Sequence, residues 1–217
     1  MQSSGRTLVI ETASEACSIA LFDGAQLVAQ DHRELGRGHA ERLVPMIEAF
    51  PGKGRADQIM TSLGPGSFTG VRIGIAAARA LGVAWGAKVL GYPTLALIAA
   101  MARKDAKTDT APTTICVNGG HGEWFVQSFD SLGTPQGLAA SLTPEAAARR
   151  DCHRLIAGNR ARQFAEMRKE ADFITLDILP DASRANLLPQ ACLARDLSPI
   201  YGRAPDAVPQ SQRVRPA

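Results

Sequence analysis

The glycine-rich stretch at residues 64–74 is the part of this sequence whose residue types best suit ligand binding. It reads Gly-Pro-Gly-Ser-Phe-Thr-Gly-Val-Arg-Ile-Gly and stands between an apolar run at 58–63 and a helical pattern at 71–87. A turn that enters a helix presents free backbone N–H groups, and these favour an anion. However, no Lys follows the glycines as in a P-loop, and Thr69 stands where a dinucleotide fingerprint has its third glycine. A tight turn into a buried helix explains the same residues without any ligand.

The helix predicted at residues 71–87 is unusual because small residues recur along one side of it. Glycine or alanine stands at every fourth position from Gly70 to Gly82, and the charged residues are Arg72 and Arg79, without any acid. A helix that is apolar nearly all round must be covered on nearly all sides. Since a sheet covers one side only, we expect the small-residue side to pack against a helix of a second polypeptide. The predicted partner interface consists of Gly70, Val71, Gly74, Ile75, Ala78 and Gly82.

Composition places the chain among ordinary globular proteins and excludes several functional classes. Its 217 residues are 45% hydrophobic and 21% charged, and the formal net charge of +3 comes without the Lys and Arg cluster typical of a nucleic-acid binder. The four cysteines are far apart and no His-x-x-x-His pair occurs, so no metal site is expected. Neither a signal-peptide pattern nor an apolar run long enough to cross a membrane is present. We therefore expect a cytoplasmic protein that makes no contact with membranes.

Apolar runs and turn signals predict an α/β protein built from two similar halves. Three strands within residues 7–32 are expected to form a meander, with Asp23-Gly24 as a hairpin turn. Strands and helices then alternate up to residue 103, which is the order of a ribonuclease-H-like lobe. The second half reads as a shorter version of the same lobe. The expected architecture is two ribonuclease-H-like, or actin-like, lobes at residues 1–103 and 111–200, the second abbreviated, and an extended tail at residues 201–217.

Periodicity and capping signals predict the positions of the helices. Residues 39–50 show a helical pattern that contains Pro45, which predicts either a kink or a later start. Thr94 is expected to be the N-cap of a helix at 94–103. A further helix is predicted at residues 183–196.

Two segments of the sequence closely resemble one known family. LGPGSFTGVRIGIAAARALG and TLVIETASEACSIALFDG are similar to segments of the TsaB (YeaZ) family, the bacterial tRNA threonylcarbamoyladenosine biosynthesis proteins. The resemblance is highly specific over residues 6–100 and can be followed to about residue 207. Pro199-Ile200-Tyr201-Gly202-Arg203 resembles the closing Pro-x-Tyr-x-Arg pattern of the family. The resemblance implies a two-lobed fold of the actin-like ATPase superfamily without a catalytic centre of its own.

The resemblance also implies partners for the chain. TsaB-like proteins pair with the catalytic paralogue TsaD and with the ATPase TsaE to attach threonylcarbamoyl to the tRNA adenosine beside the anticodon. Without these partners they form homodimers through the helices that TsaD would otherwise occupy. For this chain we accordingly expect TsaD and TsaE homologues as partners, a homodimer in their absence, and tRNA reached through the complex.

The sequence departs from the family pattern at two turns. Glu11-Thr12-Ala13 stands where the family usually has Asp-Thr-Ser, and Asn118-Gly119-Gly120 stands where it usually has Asp-Ala-Arg. The second change leaves no carboxylate at that turn for a role shared with the family, whereas the surrounding strand pattern is kept.

Two functions from different classes remain open. In the first, the chain is a non-catalytic partner subunit whose glycine-rich helix docks on TsaD. In the second, it is an actin-like ATPase or phosphotransferase, in which Glu11 would hold the magnesium of ATP and the turn at 64–70 its phosphates. We expect no cofactor that belongs to this chain alone, and expect ATP or ADP with magnesium, where bound, to lie at the subunit junction. The candidate residues for an anion or nucleotide site are Glu11, Thr12, Gly66, Ser67 and Thr69.

The tail has a slight basic bias. Arg203, Arg213 and Arg215 stand there against Asp206. Such a bias is typical of a solvated chain end, and an RNA-binding arm is the alternative.

Overall fold

The structure, a computed structural model, describes residues 5–108, 110–168 and 172–202 and contains two five-stranded mixed sheets. Each sheet with its helices is called a lobe. The elements of the first lobe are β1 (Arg6–Glu11), β2 (Ala16–Asp23), β3 (Gln26–Glu34), α1 (His39–Glu48), β4 (Gln58–Ser62), α2 (Phe68–Trp85), β5 (Lys88–Tyr92) and α3 (Thr94–Asp105). Those of the second lobe are β6 (Thr113–Gly120), β7 (Glu123–Phe129), β8 (Ala140–Leu142), α4 (Pro144–Ala148), β9 (Leu155–Ala157), α5 (Ala161–Met167) and β10 (Ile174–Leu176).

Both sheets have the same topology, so the second lobe is a structural repeat of the first. The strand order is β3-β2-β1-β4-β5 in the first sheet and β8-β7-β6-β9-β10 in the second. In each sheet three antiparallel strands form a meander. A fourth strand pairs in parallel with the first strand of the meander, and the fifth pairs in parallel with the fourth. The second lobe is smaller because β8, β9 and β10 have only three residues each. The predicted fold class, two ribonuclease-H-like lobes with the second abbreviated, is confirmed.

Helix α3 lies between the two sheets and joins the lobes through one apolar core. Its residues from Thr94 to Ala102 are all buried. Val9 of the first sheet and Ile115 and Phe125 of the second belong to the same cluster as α3. A helix that is apolar on all sides needs cover on all sides, and here the two sheets supply that cover.

Helices α1 and α2 lie on the opposite face of the first sheet. Alternation along β1 directs Leu8 and Ile10 to this outer face and Val9 to the shared core. Leu43 and Ile47 of α1 pack in the same outer cluster. Helices α4 and α5 cover the outer face of the second sheet in the same way. Each sheet therefore has α3 on its inner face and two helices on its outer face.

Residues 177–202, called the return segment, run from the second lobe back to the first. Ala194 exchanges backbone hydrogen bonds with Gly91 of β5, at 2.8 and 2.9 Å. Further on, the Ile200 N–H donates to the Leu63 carbonyl at 2.8 Å, and Leu197 packs in a small buried cluster against α2. The segment therefore ends beside the glycine-rich turn, at the start of α2.

The predicted hairpin and several element bounds are confirmed. Asp23 and Gly24 stand at the turn between β2 and β3, and Gly24 has a φ of 55°, as such a turn requires. Helix α1 begins at His39 and contains Pro45. Helix α2 begins three residues earlier than predicted, since Ser67 is its N-cap and accepts a hydrogen bond from the Gly70 N–H.

Two predictions about helices are wrong. Thr94 is the first helical residue of α3, and Pro93, in an extended conformation, is its N-cap. No α-helix forms at residues 183–196, where the 3-10 helices Ala182–Leu187 and Gln190–Cys192 take its place. Pro189 separates them because proline lacks the N–H that a helix needs and directs the preceding residue into an extended conformation.

The predicted tail lies largely beyond the described part of the chain. Arg203, Asp206, Arg213 and Arg215 are outside the described residues. Over the ranges that the structure describes, no helix combines the length and the apolarity that crossing a bilayer requires.

Candidate functional site

A cavity of about 850 Å³ opens between the two lobes, where the glycine-rich turn faces the end of β6. Of the residues predicted for an anion or nucleotide site, Gly66, Ser67 and Thr69 line this cavity, whereas Glu11 and Thr12 do not. The other side chains that line it include Glu15, Phe68, Arg72, Asn118, His121 and Tyr201.

Glu15 connects the two lobes at this cavity. Its Oε1 accepts a hydrogen bond from Asn118 Nδ2 at 3.3 Å, and its Oε2 accepts one from Asn159 Nδ2 at 2.9 Å. Asn159 Oδ1 in turn accepts from the Asn118 N–H at 2.9 Å. An Asp at position 118 could not donate to Glu15 and would place a second carboxylate beside it. The Asn that departs from the family pattern therefore fits the contact that it makes between the lobes.

Glu11 is a buried structural carboxylate and not a group that faces the cavity. Its exposed fraction is 0%, Oε1 accepts from the Ala13 N–H at 2.8 Å, and Oε2 accepts from the Tyr92 hydroxyl at 3.2 Å. Burial raises the pKa of the Glu11 carboxyl to about 7, against an ordinary value of 4.5, although these hydrogen bonds act in the opposite direction. A metal ion in the cavity has no access to this side chain.

The remaining predicted site residues divide between packing and the cavity. Thr12 is fully buried, and its hydroxyl donates to the Gly70 carbonyl at 2.8 Å. Gly66 approaches the Ala13 carbonyl so closely that a Cβ would clash with it. Ser67 and Thr69 are exposed, and the Ser67 hydroxyl serves as the cap of α2. The pattern that indicated an anion site is thus explained in part by close packing of α2 on the turn after β1.

The small-residue side of α2 faces the chain's own first sheet, which corrects the expected partner interface. A Cβ on Gly74 would lie 2.5 Å from Thr12 Oγ1, and one on Gly82 would lie 2.5 Å from a methyl carbon of Val89. Small residues at these positions let the helix approach the strands closely. A second polypeptide cannot cover this side. The residues concerned, all buried, are Gly70, Val71, Gly74, Ile75, Ala78 and Gly82.

The side of α2 that is open to a partner is the one directed away from the sheet. Its side chains include Ala76, Ala80 and Val83, and Val83 is 88% exposed. Val44 of the neighbouring helix α1 is 55% exposed. Arg72 and Arg79 are the charged residues of α2, and both are exposed. The outward side of α1 and α2 contributes Val44, Phe68, Arg72, Ala76, Arg79, Ala80 and Val83, which are called the docking face. Helix α1 also exposes the charged residues Glu41, Arg42 and Glu48.

Arg72 lies in a cluster with two aromatic rings at the edge of the cavity. Its guanidinium carbon is 3.6 Å from the centre of the Phe68 ring and 5.8 Å from that of Tyr201, and the two ring centres are 5.7 Å apart. Arg72 Nε and Nη2 donate to the Tyr201 hydroxyl oxygen at 3.3 and 3.0 Å. The sequence pattern marked Arg72 and Tyr201 separately, as a helix cation and as part of a closing motif, but could not bring them together.

Ser18, His32 and Asp181 also lie close together, on β2, β3 and the return segment. The Ser18 hydroxyl donates to Asp181 Oδ1 at 3.2 Å and accepts from the Ala182 N–H at 3.0 Å, while His32 Nδ1 is 4.0 Å from the same Asp181 oxygen. Ser18 is fully buried and bonds to the carboxylate, not to the imidazole. This set anchors the return segment and lacks the order of a nucleophilic triad.

The cavity does not fit a magnesium nucleotide held by this chain alone. Magnesium prefers carboxylate and phosphate oxygens in a near-octahedral shell. Among the described residues that line the cavity, Glu15 is the carboxylate, and both of its oxygens accept from asparagines. No group of three His, Cys, Asp or Glu side chains in the described part of the chain is placed to hold a metal ion. No chemical step through a nucleotide follows from these residues.

Comparisons with known proteins give one consistent relationship. Residues 30–149 match the family model described as "TsaD: tRNA N6-adenosine threonylcarbamoyltransferase". The chain is 31% identical over 202 residues to the tRNA threonylcarbamoyladenosine biosynthesis protein TsaB of Escherichia coli (strain K12), covering 86% of each chain. It is 36% identical over 92 residues to the TsaB of Haemophilus influenzae, covering 40% of this chain and 37% of that one. The structure of YeaZ from Pseudomonas aeruginosa is similar with a TM-score of 0.71 at 27% identity, covering 87% of this chain and 90% of that one.

Proposed function

The chain belongs to the TsaB (YeaZ) family, and from this membership we propose that it takes part in tRNA threonylcarbamoyladenosine biosynthesis as a non-catalytic partner subunit. In this proposal the docking face binds the catalytic paralogue TsaD. The complex then installs threonylcarbamoyl on the tRNA adenosine next to the anticodon.

The observation that carries the proposal is the apolar character of the docking face. Val83 and Phe68 of α2 are 88% and 56% exposed, with alanines between them, and Val44 of α1 is 55% exposed. An outward helix side that is largely apolar, as on α2, is typical of a surface that another helix covers. The charges on α2 are both positive, so a partner segment with apolar and acidic side chains suits this face.

The chemistry of the cavity supports the non-catalytic part of the proposal. The carboxylate predicted to hold a metal, Glu11, is enclosed by the chain, and Glu15 is engaged by Asn118 and Asn159. Glu15 therefore serves to hold the lobes together, and its arrangement with the two asparagines gives no reason to assign a reaction to it.

The remaining partners follow from the family resemblance. TsaE and tRNA would be reached through the complex with TsaD. When TsaD is absent, a second copy of this chain would occupy the docking face, because the same apolar surface then needs cover. The proposed place for ATP or ADP with magnesium is the junction with TsaD, where the partner can supply ligands.

A binding experiment with the TsaD homologue from the same genome tests the proposal. The wild-type chain should co-elute with TsaD, and Val83→Asp should abolish co-elution because it places a carboxylate in the buried part of the interface. Leu138→Asp is the matched control, since Leu138 is equally exposed but lies on the second lobe. If wild type fails to bind TsaD, or if both variants bind equally well, the proposal is refuted.

ATP turnover separates this proposal from the ATPase alternative. The purified chain should show no turnover above background, whereas reconstituted threonylcarbamoylation of tRNA should require it together with TsaD and TsaE. Turnover by the chain alone that disappears in Glu11→Ala, with the variant's fold intact, would favour the alternative.

A further inference from the structure

We propose that Arg72, held in place by Tyr201, is the receptor for a side-chain carboxylate of the docked TsaD subunit. This inference rests on the proposed function, because it concerns the chemistry of the same docking face. It adds the specificity-determining residue of that face and a positioning residue that comes from the far end of the chain.

The geometry of the guanidinium shows which of its donors are taken. Arg72 Nε and Nη2 donate to the Tyr201 hydroxyl oxygen. A guanidinium has five N–H donors, so both N–H groups of Nη1 and one of Nη2 are left. One N–H of Nη1 and the free N–H of Nη2 lie on the Nη1–Nη2 edge, and this edge can donate two parallel hydrogen bonds to a carboxylate.

The charge of Arg72 is not neutralised by its neighbours. Tyr201 and Phe68 are neutral, and within the described ranges Arg72 takes part in no ion pair, unlike Arg33, Arg154 and Arg184. A cation stacked on an aromatic ring keeps its charge and loses rotational freedom. The cluster is therefore prepared for an anion at small entropic cost.

The surroundings favour a protein carboxylate over a phosphate backbone. Along α2 the residues that follow on the same side are Ala76, Ala80 and Val83, and Arg79 is the only other charged residue of the helix. A nucleic-acid backbone binds where several cations stand together. An acidic residue flanked by apolar residues, on a helix of the partner, complements one fixed cation beside an apolar surface.

Tyr201 lies beside Arg72 only because the return segment ends at the start of α2. The Ile200 N–H is bonded to the Leu63 carbonyl, and Leu197 is buried against α2, which puts the Tyr201 ring over Phe68 and Arg72. Tyr201 would thus act through Arg72, by fixing the guanidinium plane.

The affinity of the full-length chain for the TsaD homologue tests the inference. Arg72→Lys keeps the charge but loses the planar fork, and we expect it to weaken binding about tenfold. Tyr201→Phe keeps the ring and removes the acceptor, and it should weaken binding several-fold. In the Arg72→Lys background Tyr201→Phe should have no further effect, since the guanidinium that it orients is gone. Arg149→Lys, an exposed arginine on the second lobe, is the matched control and should bind like wild type.

Several outcomes would overturn the inference. If the wild type binds TsaD and the Arg72 variants bind equally well, the inference fails while the proposed function stands; if the wild type does not bind, both fail. Additive effects of Arg72→Lys and Tyr201→Phe would show that Tyr201 does not act through Arg72. A loss of tRNA retention without a loss of TsaD binding would assign Arg72 to RNA instead.

Discussion

Replacing the buried carboxylate of Glu11 by an amide should change how stability depends on pH. Glu11 is fully buried, and its folded-state pKa of about 7 lies above its ordinary value of 4.5. The folded protein therefore keeps a proton that the unfolded chain has already released. Between these two pKa values the free energy of unfolding must fall as the pH rises.

The sign and the size of the effect follow from these two values. Below the unfolded pKa the carboxyl is protonated in both states, and its contribution is fully present. That contribution is lost as the pH rises towards the folded pKa, and above it the protein is less stable by a constant amount. The difference between about 7 and 4.5 corresponds to about 3 kcal/mol in the free energy of unfolding, of which about 2.5 kcal/mol falls between pH 5 and pH 8.

The variant Glu11→Gln lacks this dependence because an amide does not ionise. Its oxygen can still accept from the Ala13 N–H, and its NH2 group can donate to the Tyr92 hydroxyl, so the packing is kept. Urea unfolding of wild type and variant at pH 5 and pH 8 measures the difference between them. We expect the variant to gain about 2.5 kcal/mol relative to wild type from the lower to the higher pH.

An exposed carboxylate supplies the control for this measurement. Glu34 is exposed at the end of β3, and Glu34→Gln should show the same pH dependence as wild type. If the difference in the free energy of unfolding between wild type and Glu11→Gln is the same at pH 5 and pH 8, the reasoning about burial is refuted, whatever the stability of the variant.

Three further predictions concern the packing around the site, and urea unfolding measures the first two. Gly74→Ala should lower the free energy of unfolding by about 1–3 kcal/mol, because the new Cβ would lie 2.5 Å from Thr12 Oγ1. The control Ala76→Ser, on the outward side of α2, should change it by no more than about 0.5 kcal/mol. Equal destabilisation by the two substitutions would contradict the orientation assigned to α2. Tyr92→Phe removes a hydrogen-bond donor to Glu11 and should lower the free energy of unfolding by about 1–3 kcal/mol at pH 8, but by less at pH 5, where the carboxyl is protonated. A larger loss at pH 5 than at pH 8 would contradict this prediction. Glu15→Ala leaves the side-chain amides of Asn118 and Asn159 without their acceptor, so we expect faster hydrogen exchange at the Asn118 turn. Unchanged exchange would show that the contact with Glu15 does not stabilise this turn.

Local signals in the sequence were sufficient for much of the fold. The Asp23-Gly24 hairpin and the helix that begins after the glycine-rich turn both follow from patterns within a few residues. Turn chemistry and side-chain periodicity act over such short distances, so they are readable without tertiary structure. The prediction of a helix at 183–196 was wrong because the single Pro189 interrupts the helical pattern around it.

The orientation of α2 illustrates what periodicity alone does not decide. The pattern of Gly70, Gly74 and Gly82 correctly indicates a close approach to another element, but the same pattern suits a strand of the chain's own sheet or a helix of a second molecule. The contacts of Gly74 with Thr12 and of Gly82 with Val89 settle this, and they leave the opposite side for a partner.

The sequence by itself therefore determined the family, the order of the strands and helices in the first lobe, and the small residues that let α2 pack closely. Only the tertiary structure decided which polar groups meet, because the contacts that matter join residues far apart in sequence. Arg72 and Tyr201 are separated by 129 positions, and Glu15 and Asn159 by 144. The return segment and the shared core on α3 bring these pairs together, and no local pattern records such distances.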